Sequence, residues 1–141
     1  MITVKKSKTM KPILQNIKET AINITDIERT KHFYHHILGL EIIAEDKDRF
    51  VFFRVGADLL LCFDTDKTQN QSSPPPHAAH GIQHFAFECS AEDYERWKLL
   101  IKENNIEIED EITWETGKKS FYFRDPDGHC LEIIEPLMWG F

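Results

Sequence analysis

The 141-residue chain is 41% hydrophobic and 29% charged, with a formal net charge of −7, a balance that excludes a disordered chain and suits one compact core or two small modules sharing a sheet. Four lysines precede Pro12 with no acid among them, so the rest of the chain carries about −11, which argues against nucleic acid or an anionic membrane surface as a partner. Cys62, Cys89 and Cys130 sit in apolar runs and read as reduced core residues; with no apolar stretch of membrane-spanning length and no signal-peptide pattern, a cytoplasmic protein is expected.

Residues 1–16 read as a basic, polar arm. Over 17–24, Ile22 and Ile24 alternate with Glu19, Ala21 and Asn23, the pattern of a half-buried strand. Thr25 with Glu28 predicts a capping box, opening a helix whose apolar stripe is Ile27, Thr30, Phe33/Tyr34 and Ile37/Leu38 and whose stop is Gly39. Short strands over about 40–45, 50–54 and 58–63 complete a βαβββ unit spanning 17–64. The polar, proline-rich stretch 65–81 reads as a linker or an ordered surface loop.

The pattern then restarts. A strand over 83–89 leads to a second capping box, Ser90 with Asp93, and to a helix striped by Tyr94, Trp97, Leu100 and Ile101 that ends at Asn104. Three more strands close a second unit over 82–136, and the apolar tail 137–141 calls for cover on the domain or on a partner. The last two strands, 120–124 and 130–135, form a hairpin about Asp125, Pro126, Asp127 and Gly128. Alternation places Phe121, Phe123, Leu131 and Ile133 on one face and Ser120, Tyr122 and Glu132 on the other, so Glu132 is a lone carboxylate needing a partner or a task.

The two units superpose by sequence. At an offset of 65, Glu19 falls on His84, Ala21 on Ala86, Thr25 on Ser90, Glu28 on Asp93 and Gly39 on Asn104. At an offset of 72, Gly56 falls on Gly128, Leu59 on Leu131 and Leu60 on Glu132. A pseudo-twofold pairing makes Glu19, Leu60, His84 and Glu132 equivalent positions. Leu60 cannot ligate; two carboxylates and one imidazole suit a divalent ion of the Fe, Mn, Zn, Co or Ni kind with positions left open for water or substrate.

The hairpin from Phe121 through His129 to Leu131 and Glu132, together with Asp26, Ile27, Phe33, Tyr34 and Leu38 to Leu40, resembles the vicinal oxygen chelate superfamily over roughly residues 17–136. That superfamily includes glyoxalase I, extradiol dioxygenases, fosfomycin thiol transferases, methylmalonyl-CoA epimerase and bleomycin-resistance proteins. The resemblance implies an α+β fold, two tandem βαβββ modules forming a cupped mixed sheet with helices on its outer face, frequent homodimers, and metal ligands at Glu19, His84 and Glu132. Glu19 stands where many members have histidine, and Leu60 where glyoxalase I enzymes and the epimerase have a ligand. Ser120 and Tyr122 match substrate-facing positions of the fosfomycin transferases, but Ala21 replaces a threonine and Phe141 a basic residue there, so fosfomycin is not the expected substrate.

The expectation is a metal-dependent enzyme acting on a small oxygenated molecule, with the lyase, isomerase, thiol transferase and dioxygenase reactions left open. Tyr122 and Glu132 are the expected catalytic residues, and Ser120, Tyr122 and Trp114 the substrate contacts, with Lys118 and Lys119 near the same edge. The alternative is a metal-free, bleomycin-resistance-like ligand-binding protein. His32, His35 and His36 read as surface residues of the first helix and His129 as part of the turn. His77 and His80 lie in the loop before the second module, where closing over a substrate competes with a connector role.

Overall fold

In the computed structural model, which describes residues 11–77 and 79–141, the chain forms two mixed four-stranded sheets. Most of the expected basic arm therefore lies outside the described residues. The first unit runs β1 (Glu19–Ile24), α1 (Ile27–Lys31) continued by a wider π-helical turn (His32–Ile37), β2 (Glu41–Asp46), β3 (Phe50–Val55) and β4 (Asp58–Asp64). After the short helix α2 (Thr65–Thr68), the second unit repeats the order with β5 (His84–Glu88), α3 (Tyr94–Glu103), β6 (Asp110–Thr113), β7 (Lys119–Arg124) and β8 (Cys130–Ile134). Strand order is β1-β4-β3-β2 in one sheet and β5-β8-β7-β6 in the other, the first pair of each being parallel. The doubled βαβββ plan and the α+β class are thus both present.

Register corrects one equivalence. Glu19 pairs with Leu59 and Ala21 with Leu61, whereas His84 pairs with Cys130 and Ala86 with Glu132. With Ala21 equivalent to Ala86, the counterpart of Glu132 is Leu61, not Leu60. Packing agrees: Leu60 and Cys62 belong to the core cluster alongside Leu131 and Ile133, while Leu61, though buried, lies outside it. Matching Gly56 to Gly128 misleads because the turns differ in construction. In the first, Val55 still pairs with Asp58 across Gly56 and Ala57; in the second, pairing stops at Arg124 and Cys130.

Helix starts also differ from expectation. The α1 cap is Asp26, whose Oδ1 accepts from Arg29 N at 2.8 Å. Thr25 instead donates its hydroxyl to Asp127 Oδ1 at 2.6 Å, recruited by the other module. Before the second helix Ser90 Oγ accepts from Asp93 N at 3.2 Å, but the N-cap is Asp93 itself, not Ser90; Asn104 is the C-cap with Asn105 following at φ 58°.

The two units share one core. Ile22, Ile24, Val51, Phe53, Leu60 and Cys62 of the first sheet, Ile27, Phe33, Tyr34 and Leu38 around α1, Tyr94 and Ile101 of α3, and Phe121, Phe123, Leu131 and Ile133 of the second sheet form a single buried cluster. The first helix is contacted from both units: the Tyr34 ring lies 5.5 Å from that of Phe53, and Phe33 6.3 Å from Phe123. Cys62 is buried, and all three cysteines are free thiols. Among the described residues, no helix is long and apolar enough to cross a membrane.

A polar seam joins the units beside this core. The edge of β1 away from β4 would leave backbone groups unpaired. Gln83 meets them: Asn23 N donates to its Oε1 at 2.8 Å, and its Nε2 donates to Ala21 O at 3.2 Å. His129, fully buried, accepts from Gln83 N on Nδ1 at 2.9 Å, so its Nε2 carries the proton given to Asn23 O. Asp125 is buried too; its Oδ2 accepts from the Tyr34 hydroxyl at 2.7 Å and its Oδ1 from the amides of Asp127 and His129. Burial pushes the Asp125 carboxyl above its ordinary range, with the Tyr34 and His129 hydrogen bonds pulling it back.

Two stability predictions follow from register and seam. Leu60→Ala, in the closed core, should cost about 2–5 kcal/mol in urea unfolding, and Leu61→Ala distinctly less. Tyr34→Phe should cost about 1–3 kcal/mol at neutral pH because it strips a donor from a buried carboxylate. With Asp125 raised in the folded state, both states hold the proton at low pH. As pH climbs through the window between the unfolded and folded values, the unfolded chain releases its proton first and stability falls. Tyr34→Phe raises the folded value further, so its deficit in urea midpoint should grow as pH rises through that window.

Candidate functional site

The outward face of the second sheet carries the polar set. Alternation and register put His84 and Ala86 of β5, Glu132 of β8 and Ser120 and Tyr122 of β7 on this side, because their neighbours Phe121, Phe123, Leu131 and Ile133 are drawn into the core. Glu132 is only 5% exposed. Its Oε1 lies 3.3 Å from His84 Nε2, and its Oε2 is buried with no hydrogen-bond partner.

His84 Nδ1 sits 2.8 Å from Cys130 O, so Nδ1 bears the proton donated to that carbonyl. In the neutral ring Nε2 then holds a lone pair, and it faces a carboxylate oxygen at 3.3 Å. Two electron-pair donors that close call for a cation between them, a proton or a metal ion. A histidine fixed through its far nitrogen by a backbone carbonyl is also how protein ligands to metals are oriented. The orphaned oxygen and this donor pair fit a divalent ion.

Tyr122 stands next to the pair, its ring 6.1 Å from that of His84. Burial, and then Glu132, push its pKa up, so the hydroxyl keeps its proton and remains a donor. Ser120 is fully buried, and its Oγ accepts from Trp114 Nε1 at 2.9 Å. It therefore fixes the indole and does not line the cleft itself. The cleft over Glu132, about 410 Å³, is lined by Trp114, Glu115, Thr116, Tyr122, Glu132, Met138 and Trp139. Lys118 and Lys119 are not in that lining.

Glu19, at the exposed start of β1, is not gathered with His84 and Glu132. Among the described residues no three His, Cys, Asp or Glu side chains of one chain converge in a way that could hold an ion. The outward face of the first sheet is apolar instead: Phe52 pairs with Leu61 where Tyr122 pairs with Glu132, and Phe50, Phe52 and Phe63 cluster with ring centroids 4.4–6.1 Å apart. His77 lies on this aromatic group, 4.8 Å from Phe63, and not over the cleft. His32, His35 and His36 are exposed. Met138 and Trp139 escaped sequence reasoning as site residues; the tail's apolar composition was the signal, but it says nothing about where the tail lands.

The sequence matches the family model of the Glyoxalase/Bleomycin resistance protein/Dioxygenase superfamily over residues 16–133. The chain belongs to that superfamily. Among curated relatives, the metallothiol transferase FosB of Staphylococcus saprophyticus is 30% identical over 122 residues, covering 86% of this chain and 77% of the relative. The glutathione transferase FosA of Serratia marcescens is 30% identical over 124 residues, covering 86% and 81%. The crystal structure of a lactoylglutathione lyase from Agrobacterium tumefaciens superposes with a TM-score of 0.86 at 32% identity, covering 91% of this chain and 98% of that one. The chain thus sits among enzymes of the glyoxalase type, one of which is named as a metallothiol transferase.

The state of Glu132 is testable apart from catalysis. Glu132→Gln keeps the shape, removes a buried charge and offers His84 Nε2 an amide donor. In chelator-treated protein it should raise the thermal unfolding midpoint over the parent, by an amount equivalent to about 1–3 kcal/mol. Excess divalent metal should narrow or reverse that difference, since only the parent gains from binding.

Proposed function

We propose that this protein is a metal-dependent enzyme acting on a small oxygen-bearing molecule, with a divalent ion held by His84 and Glu132 of one protomer and by Glu19 of the partner subunit in a homodimer. The observation that carries the reading is the buried Glu132 carboxylate, with one oxygen unpartnered and the other facing the lone pair of a histidine held in a single tautomer. One imidazole and two carboxylates suit Fe, Mn, Zn, Co or Ni and leave coordination positions open.

The partner's share is supported by what one chain leaves uncovered. Glu19 is exposed at the strand start, and Ile13, Leu14, Ile17 and Phe141 are exposed apolar residues at the two ends of the chain, Leu14 and Phe141 nearly completely. A twofold pairing that sets the aromatic face of one first sheet against the polar face of the other second sheet would cover apolar area and bring the third ligand to the pair.

A divalent ion so held supplies Lewis acidity toward an oxygen of the substrate. The chain's own residues then orient and exclude. The Tyr122 hydroxyl, kept protonated, donates a hydrogen bond to a polar atom in the cleft, and Trp114, braced by Ser120, forms a fixed wall. Glu132 has a second oxygen free to exchange a proton with substrate. The three relatives described above all carry a thiol compound in their names, which favours thiol transfer or thiol-adduct lyase chemistry over ring-opening oxygenation.

Protein purified without chelator should carry about one equivalent of divalent metal per chain by elemental analysis. His84→Ala, Glu132→Ala and Glu19→Ala should each lose most of the affinity in calorimetric titrations, while Glu88→Ala and Glu135→Ala stay within a few-fold. Mixing Glu19→Ala with Glu132→Ala protomers should restore binding, because a mixed dimer contains one intact shared site. Less than about a tenth of an equivalent, with no uptake of added Fe, Mn, Co, Ni or Zn, would favour the metal-free ligand-binding alternative. A monomer in sedimentation at tens of micromolar, or mixing without recovery, would refute the shared site.

A further inference from the structure

We propose that the cleft over Glu132 receives an uncharged aromatic portion of the substrate, clasped by Trp114, Tyr122, Met138 and Trp139; this rests on the cleft being the substrate site. After Pro136 the chain reverses. Leu137 and Gly140 both take positive φ, 61° and 88°, and Gly140 N donates to Leu137 O at 3.0 Å. This turn drops Met138 into cover at 8% exposure and leaves the next residue, Trp139, 75% exposed along the cleft wall. A tryptophan that open is apolar area without a partner.

Trp114, 39% exposed, is not free to fold away, because its indole N–H is committed to the buried Ser120 hydroxyl. Tyr122 adds a ring whose hydroxyl points the cleft's polar chemistry, and Met138 a polarisable thioether that adapts to a flat ligand. The volume of about 410 Å³ lies in the range of small-molecule sites.

Charge narrows the class further. Among the described residues the lining includes Glu115 and Glu132 but no Lys, Arg or His. Trp114, Tyr122, Met138 and Trp139 offer nothing to neutralise a phosphonate, sulfonate or carboxylate, and a chain of net charge −7 adds no attraction for anions. A ring without formal charge gains ring-edge, ring-face and sulfur contacts while leaving the exposed Glu115 in water and the buried Glu132 facing His84.

The test uses two probes with one ring system, 2-naphthalenemethanol and 2-naphthalenesulfonate, titrated calorimetrically into the full-length protein as purified and again after chelator treatment and dialysis. The alcohol should bind in both preparations, at least about tenfold more tightly than the sulfonate. Trp139→Ala and Trp114→Ala should each weaken it about three- to tenfold, Trp139→Phe should retain most of the affinity, and Trp97→Phe, in a separate apolar cavity beside α3, should leave it unchanged. Equal or tighter sulfonate binding, no binding of the alcohol in either preparation, or full affinity in both tryptophan-to-alanine variants would overturn the clasp. Metal uptake separates the readings: protein that takes up no metal yet prefers the alcohol sinks the metal centre alone, and protein that binds metal without that preference sinks the clasp alone.

Discussion

The His129 imidazole, buried between the Gln83 amide and the Asn23 carbonyl, decides how the two halves of this molecule meet. Both ring nitrogens are used, one as acceptor and one as donor, so the ring has a single tautomer and a single orientation. The Gln83 side chain then completes the free edge of β1, and Asp125, held by Tyr34 and by two amides of its own turn, locks the hairpin whose second strand bears Glu132. A shift of one residue in β8 would turn Glu132 into the core and Leu131 out of it, breaking the seam and the packing together. The position of the Glu132 carboxylate is thus tied to a structural histidine three residues before it.

The pseudo-symmetry is strict on the inside and broken on the outside. Val51 and Phe53 answer to Phe121 and Phe123, and Leu60 and Cys62 to Leu131 and Ile133, since both sheets must bury an apolar face in one shared core. The outward faces have no such constraint. One carries Phe50, Phe52, Leu61 and Phe63, the other Ser120, Tyr122, Glu132 and His84. The duplicated fold therefore presents an apolar wall and a polar wall, and a site assembled from both would have polar groups on one side and desolvation on the other.

Sequence patterning found the repeat, both helical stripes and the alternation of the final hairpin, because those signals reflect local geometry with fixed periods. It singled out Glu132 because a carboxylate between Leu131 and Ile133 has to face away from them, and His84 because the repeat sets it on Glu19. It misassigned Leu60, because matching two glycines takes no account of turns closed by different hydrogen bonds. It named Thr25 as a cap although Asp26 serves, because a distant Asp127 captures the threonine hydroxyl. The roles of Ser120 and Trp139 also depended on contacts absent from any local pattern.

By itself the sequence determined the class of fold, the two buried faces and which side chains must share the outward face of the last hairpin, since period-two alternation and apolar burial leave no other choice. Only the tertiary structure decided that His84 Nε2 and Glu132 Oε1 lie 3.3 Å apart, that Glu19 is not with them in the same chain, and that the tail brings Met138 and Trp139 to the cleft. Those outcomes turn on ladder register, on how two modules dock and on where a five-residue tail reverses. Each is set by contacts between residues far apart in the chain, which no local periodicity encodes.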